Sequence, residues 1–145
     1  MENYKLSAIN NYLKKLGYIS NPSDITTDNN YKLIIINHTP IYARLANTPT
    51  LLEKGLMNVD NLKYNEGCLL DFEQDSMPAL WMRNCKINLQ AAFIDKNNKI
   101  TEIADMSYQN PYQVHRSSYP IRYALEMEQD FFTTHKIKVG DIIIL

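Results

Sequence analysis

Apolar residues along this chain fall into short runs with two different periods. Leu6, Ile9, Leu13 and Leu16 recur at helical spacing, with Asn10, Asn11, Lys14 and Lys15 on the remaining faces. Gly17 is placed to end that helix as a left-handed residue, and Tyr18-Ile19 to close it with an apolar contact. A helix this short is marginal alone in water, so its stripe must pack on its own domain or on a partner chain. Residues 20–30 are polar, contain Pro22 and show no period, which reads as a linker.

Beyond residue 30 the period shortens to two. Tyr31–Ile36 is β-branched and nearly continuous, predicting a strand covered on both faces. Turn chemistry at residues 37–40 leads into its hairpin partner, Ile41–Ala46. Thr48 and Pro49 form an N-cap and first-turn pair, so a short helix with Leu51, Leu52 and Leu56 inward should follow. Gly67–Phe72 is a compact strand. Ile87, Leu89, Ala91 and Phe93 alternate with Asn88 and Gln90, predicting a strand with one partly wet face. Just upstream, Trp81 and Met82 precede a turn at Arg83-Asn84, with Trp81 expected as a buried aromatic anchor. Asp95–Lys99 is a hairpin loop, and Ile100–Met106 and Ile121–Met127 are further strands. Asp130 is placed to cap a short helix through Phe131, Phe132 and His135, and the aliphatic end Ile142–Leu145 should tuck into a sheet.

This order predicts an α+β fold: a β-rich, mostly antiparallel, barrel-like domain with two short inserted helices, preceded by the N-terminal amphipathic helix. Residues 1–30 form the helix and linker extension, and residues 31–145 the β-rich domain.

The 145 residues fit one domain of that kind. A net charge of −1 without a basic stripe argues against a nucleic-acid partner. No apolar run approaches the roughly 18 residues of a membrane span, and the opening Met1-Glu2-Asn3-Tyr4-Lys5 is no signal-peptide start, so synthesis in the cytoplasm is expected. Abundant Asn, Ile, Lys and Tyr with only four glycines indicate an AT-rich coding genome. Cys68 and Cys85 are too few for a disulfide scaffold; a bridge between them is conceivable, but free thiols packed as small hydrophobes are favoured.

Candidate chemistry is sparse. Cys85 with His115 would make a nucleophile and base, weighed against a half-buried thiol and a solvated loop histidine, which is the preferred reading. His38, His115 and His135 lie at no ligand spacing, and the glycines are isolated, so no metal, phosphate loop or cofactor is expected. Asp71, Glu73 and Asp75 read as a solvated strand end. Arg122 and Glu126 read as an ion pair on one strand face. The segment from Ser107 to Pro120 has no apolar period and carries Tyr108, Tyr112, His115, Arg116 and Tyr119. A structureless loop longer than about 12 residues is usually functional or disordered. Tyrosines with arginine suit protein or glycan contacts.

Several blocks together carry a family resemblance: Gly55-Leu56-Met57, Gly67–Phe72, Trp81–Asn84 running to Phe93–Asp95, Arg122–Glu126 and Val139-Gly140-Asp141. In order and spacing the chain from about Ile41 onward resembles the DUF192 (UPF0127) family. The resemblance implies a small β-rich domain of uncharacterised function, found in bacterial and archaeal proteins that are often secreted or membrane-tethered, and sometimes in phages. It implies no activity. The chain has Leu52 and Val59 where the family pattern has arginines, and Gln90 where it has an acid. Asn84, Arg122, Glu126 and Asp141 remain of that polar set.

The function expected is therefore a non-catalytic protein-binding or assembly module, with a phage virion role as a special case. Its partner would be a protein or a second copy, contacted by the first helix and by Tyr108, Tyr112, His115, Arg116, Tyr119, Asn84 and Arg122. The alternatives are a small hydrolase-like enzyme at the Asn84–Cys85 turn and a glycan or small-ligand binder using residues 107–120.

Overall fold

The computed structural model describes residue 14 and residues 31–145. The predicted N-terminal helix stripe of Leu6, Ile9, Leu13 and Leu16 lies outside the described residues, as does the linker. Nine strands and two helices follow in the order β1 (Tyr31–Ile36), β2 (Thr39–Ala46), α1 (Pro49–Lys54), β3 (Glu66–Ser76), β4 (Ala79–Leu80), β5 (Leu89–Ile94), β6 (Ile100–Met106), β7 (His115–Arg116), β8 (Ile121–Glu128), α2 (Phe131–Thr134) and β9 (Ile143–Ile144).

Seven strands make one sheet in the order β6-β5-β8-β3-β2-β1-β9, while β4 and β7 pair separately. All pairs are antiparallel except β2 with β3, which α1 and its flanking loops join as a crossover. The sheet curls. Its β9 end reaches the start of β6, where Lys99 bridges Ile142 and the Ile100 amide donates to the Asp141 carbonyl at 2.9 Å. The expected β-rich, barrel-like architecture with two short helices is thus present as a half-barrel with a short contact between its edges.

Local chemistry explains the joints. Asn37 and His38 both take positive φ, the mirror-image turn that matches strand twist in a two-residue hairpin. Thr48 accepts from the Leu51 amide at 3.2 Å with Pro49 in the first turn, so α1 starts where the cap and proline put it. Asp95 accepts from the amides of Asn97 and Lys99, closing the β5–β6 hairpin. Asp130 departs from expectation. It adopts a left-handed conformation and its side chain makes no capping bond, because it serves as the turn that drops β8 into the single-turn helix α2.

Strict alternation divides the sheet's side chains between two apolar clusters. Leu69, Ala92, Ile94, Leu125 and Met127 join Ile34, Ile36, Ile41, Ile143 and the α2 phenylalanines on one face. Cys68, Leu70, Ala91, Phe93 and Ala124 join Leu56, Leu80 and Met82 on the other, beneath α1 and the 77–88 segment. With both faces roofed, all six residues of β5 are buried, and Gln90, expected to be wet, is buried with them and donates to Asp105 at 2.7 Å. β1 departs in the opposite sense: Leu33 and Ile35 remain half-buried, since only one of its faces is covered.

Two other expectations fail on the same geometry. Leu80 and Met82 point inward at period two, which turns Trp81 outward; Trp81 is 38% exposed while Met82 is fully buried. The anchor of this segment is Met82. Residues 107–120 are not structureless either, because His115 and Arg116 pair with Leu80 and Ala79.

Candidate functional site

The short β4–β7 pair brings together two segments that are distant in sequence. Arg116 donates from Nη1 to the Met77 carbonyl at 3.4 Å, and the Ser117 amide donates to the Pro78 carbonyl at 3.3 Å. Further along the loop, Ser118 donates from its amide and hydroxyl to the two Glu102 oxygens, at 2.7 and 3.1 Å. The loop's first turn is held by the Tyr108 amide, which donates to Asn88 Oδ1 at 3.1 Å. A segment pinned at this many points is a fixed surface.

What this surface presents is aromatic. Trp81 meets the Tyr112 ring edge-on, with centroids 6.4 Å apart and planes at 70°. The Arg83 guanidinium lies 5.5 Å from the Trp81 ring centre, in cation–π range. Tyr112 is 71% exposed, and Met77, Tyr108, Val114 and Tyr119 are exposed as well. Trp81 and Tyr112 are joined with Arg83, a residue that the reading of the sequence did not single out. Its signal was its place next to the lone tryptophan.

Other predicted residues lie apart from this cluster or serve as supports. Asn84 has φ near 60°, and its carbonyl accepts from the Asn58 amide at 2.8 Å while the Cys85 amide closes the turn onto Met82. Asn84 therefore shapes the turn, the task its tolerance of left-handed backbone suits. His115 Nε2 is buried without a hydrogen-bond partner, and so is Arg122 Nε. The expected ion pair between Arg122 and Glu126 does not form; among the described residues the ion pairs are Arg44–Glu66 and Lys86–Asp60. Four residues along a strand span roughly 13 Å, too far for the two charges to meet.

Glu126 is the residue whose setting the ion-pair reading missed. It lies in the middle of β8, opposite Cys68 on β3 and Ala91 on β5, on the face covered by α1 and the 77–88 segment. Its residue is 5% exposed. Burial pushes its carboxyl up to about 7. The carboxyl borders a cavity of ≈ 220 Å³, whose other walls include Leu52, Gly55, Leu70, Leu80, Trp81 and Cys85, with Glu53 and Lys54 also on its lining. The sequence signal was the alternation of Ala124, Glu126 and Glu128 along a strand flanked on both sides.

Burial and the neighbouring Glu126 push the Cys85 thiol up to about 11, so it stays protonated near neutral pH. The nucleophilic form of cysteine is the thiolate, and this environment disfavours it. Both cysteines are free. Among the described residues no group of three or more His, Cys, Asp or Glu is arranged to hold a metal. No helix among them is long and apolar enough to cross a membrane.

A curled, largely antiparallel sheet roofed by a short helix and an ordered aromatic loop defines a small β-rich domain. The chain belongs to the DUF192 family, described as "Uncharacterized ACR", whose model matches residues 33–145. Two solved structures share the fold. One is a Sinorhizobium meliloti 1021 protein provisionally described as a transcription regulator, with TM-score 0.72 and 23% identity over 77% of this chain and 89% of that one. The other is a Novosphingobium aromaticivorans DSM 12444 protein of unknown function, with TM-score 0.72 and 23% identity over 79% of this chain and 85% of that one. The comparison with curated proteins found no match.

Proposed function

We propose that this chain is a non-catalytic binding module whose contact face is built from residues 77–83 and 107–120, and whose partner is a protein. The observation that carries this reading is the Trp81–Tyr112–Arg83 cluster. Tryptophan, tyrosine and arginine are the residues in which interface energy concentrates, and here they sit on a pinned scaffold, which lowers the ordering cost of contact. The protonated Cys85 thiol favours binding over hydrolysis, and the buried His115 Nε2 has no hydrogen-bond partner. Tyr108, Tyr119 and Arg116 extend the face as adaptable polar-aromatic contacts, and a second copy of the chain is one form the partner can take. A phage virion role is the narrower form of this reading.

A glycan ligand is the second reading, favoured by a polar groove of ≈ 250 Å³ beside the loop, lined by Asn88, Asp105, Ser107, Asn110, Gln113 and Gln129. Affinity capture from extracts of the source and a glycan array, each run with wild type and the Trp81→Ala/Tyr112→Ala double variant, test the proposal. The expected result is a protein retained by wild type and lost from the folded double variant. Identical capture by both proteins, or array binding without any protein partner, would overturn it.

A further inference from the structure

The carboxyl of Glu126 is buried in the centre of the sheet, and no described residue donates a hydrogen bond to it. Placing an ionised carboxylate in such a setting costs several kcal/mol unless it is paired. The neighbours on its own face offer no charge that meets it: Cys68 and Ala91 lie opposite on β3 and β5, and Ala124 is two residues along β8. Above it, α1 ends at Gly55, whose missing side chain leaves the backbone close to Glu126 Oε1. The groups that could share its charge are Cys68, Cys85, and Glu53 and Lys54 of α1, and none of them is bonded to it. Beside the carboxyl lies a cavity of ≈ 220 Å³ that has leucines on its walls along with the exposed Glu53 and Lys54.

We infer that this cavity binds a primary ammonium group carried on an aliphatic stem, with Glu126 as its counter-ion. The walls select the stem: Leu52, Leu56, Leu70 and Leu80 offer methyl and methylene surface, and Trp81 lines the same cavity. The buried Glu126 carboxylate selects the head, the other charged residues on the lining, Glu53 and Lys54, being exposed. A guanidinium brings five donors in a fixed fork, most of which would be left without acceptors among leucines and a thiol, whereas an ammonium is a compact point charge. A divalent cation lacks its usual set of ligands, since no group of three or more His, Cys, Asp or Glu among the described residues is arranged to hold one. The same chemistry occurs in a free alkylamine and in a lysine side chain of a partner. The inference does not rest on the aromatic contact face, since a free amine needs no partner protein.

Titration calorimetry with n-butylamine, n-butanol and Nα-acetyl-lysine amide on the full chain tests it. Saturable binding of the amine is expected, with n-butanol silent and affinity rising between about pH 6 and about pH 8 as Glu126 ionises. Glu126→Gln should weaken binding about ten-fold or more, the worth of a charged hydrogen bond. Tyr119→Ala, an exposed residue outside the cavity lining, should leave it unchanged, which separates this site from the contact face. If Glu126→Gln fails to fold, Leu52→Trp, which fills the cavity from α1, should abolish binding instead. Tighter binding of the acetylated lysine identifies a partner's side chain as the source, and tighter binding of n-butylamine a free amine. Equal binding of n-butanol, full affinity in folded Glu126→Gln or Leu52→Trp, or no saturable binding of either amine would overturn the inference.

Discussion

Gly55 and Glu126 approach each other so closely that a Cβ on Gly55 would lie 3.1 Å from Glu126 Oε1. Gly55 also has φ +47°, in the region where side chains are strained. One residue therefore ends α1, turns the chain and leaves room above a buried carboxyl. Gly55→Ala should destabilise the domain by about 1–2 kcal/mol through backbone strain and displacement of Glu126. Gly67→Ala should be worse, because its Cβ would collide with Met127 Sδ and lie 2.6 Å from the Glu126 carbonyl, and a backbone atom in the sheet cannot step aside. Urea unfolding of the two variants checks the ranking; equal midpoints would refute it.

Glu126 also sets a pH dependence of unusual sign. Its folded-state value is raised to about 7 from an ordinary 4.5, by burial. Below about pH 4.5 both folded and unfolded chains hold the proton, and the group contributes nothing. Between there and about pH 7 the unfolded chain ionises first, so stability falls as pH rises, by on the order of 3 kcal/mol in total. Above about pH 7 both states are ionised and the loss levels off. Glu126→Gln should flatten this slope and be the more stable protein at about pH 8. Parallel thermal melts from pH 4 to 8 measure it, and parallel curves for variant and wild type would disprove the assignment.

Much of the fold is legible in the residues themselves. Thr48-Pro49 starts α1, Asp95–Lys99 closes the β5–β6 hairpin, and period two marks β5 and β8. What was not legible depends on contacts between distant segments. Gln90 looks solvent-facing by alternation, and only the roof over both faces of β5 buries it. Residues 115–116 have no strand period, and they pair because Ala79–Leu80 supplies an edge. Glu126 looks like half of an ion pair with Arg122, and the sheet's register instead sets it between Cys68 and Ala91. The aromatic candidates were visible as residue types, but their assembly around Trp81 needed β4 and β7 to meet.

Trp81 and Met82 separate surface from core within two adjacent residues. Met82→Ala should cost about 2–5 kcal/mol, as expected for emptying a fully buried site. Trp81→Ala should cost about 1 kcal/mol or less, because the ring is 38% exposed and its partners Tyr112 and Arg83 stay solvated. Chemical denaturation of both variants distinguishes them. A larger loss for Trp81→Ala would return the indole to the role of core anchor and remove it from the contact face.

Asp141 is the residue whose charge looks most like chemistry and whose contacts are structural. Its Oδ2 accepts from Asn37 Nδ2 at 2.7 Å and from the Lys138 amide at 2.9 Å, tying the β1–β2 turn to the loop that precedes β9. Its carbonyl accepts from the Ile100 amide at 2.9 Å, where the two ends of the curled sheet meet. A side-chain change spares that last bond and removes the first two. Asp141→Ala should therefore destabilise by about 1–2 kcal/mol, with Asn37→Ala giving a smaller loss of the same kind. Because both act through one bond, their effects in the double variant should be less than additive. Hydrogen exchange should show the change first at the amides of Ile100 and Ile143, which close the sheet's edges. Unchanged protection there, with full additivity in the double variant, would show that Asp141 is not what holds the two edges together.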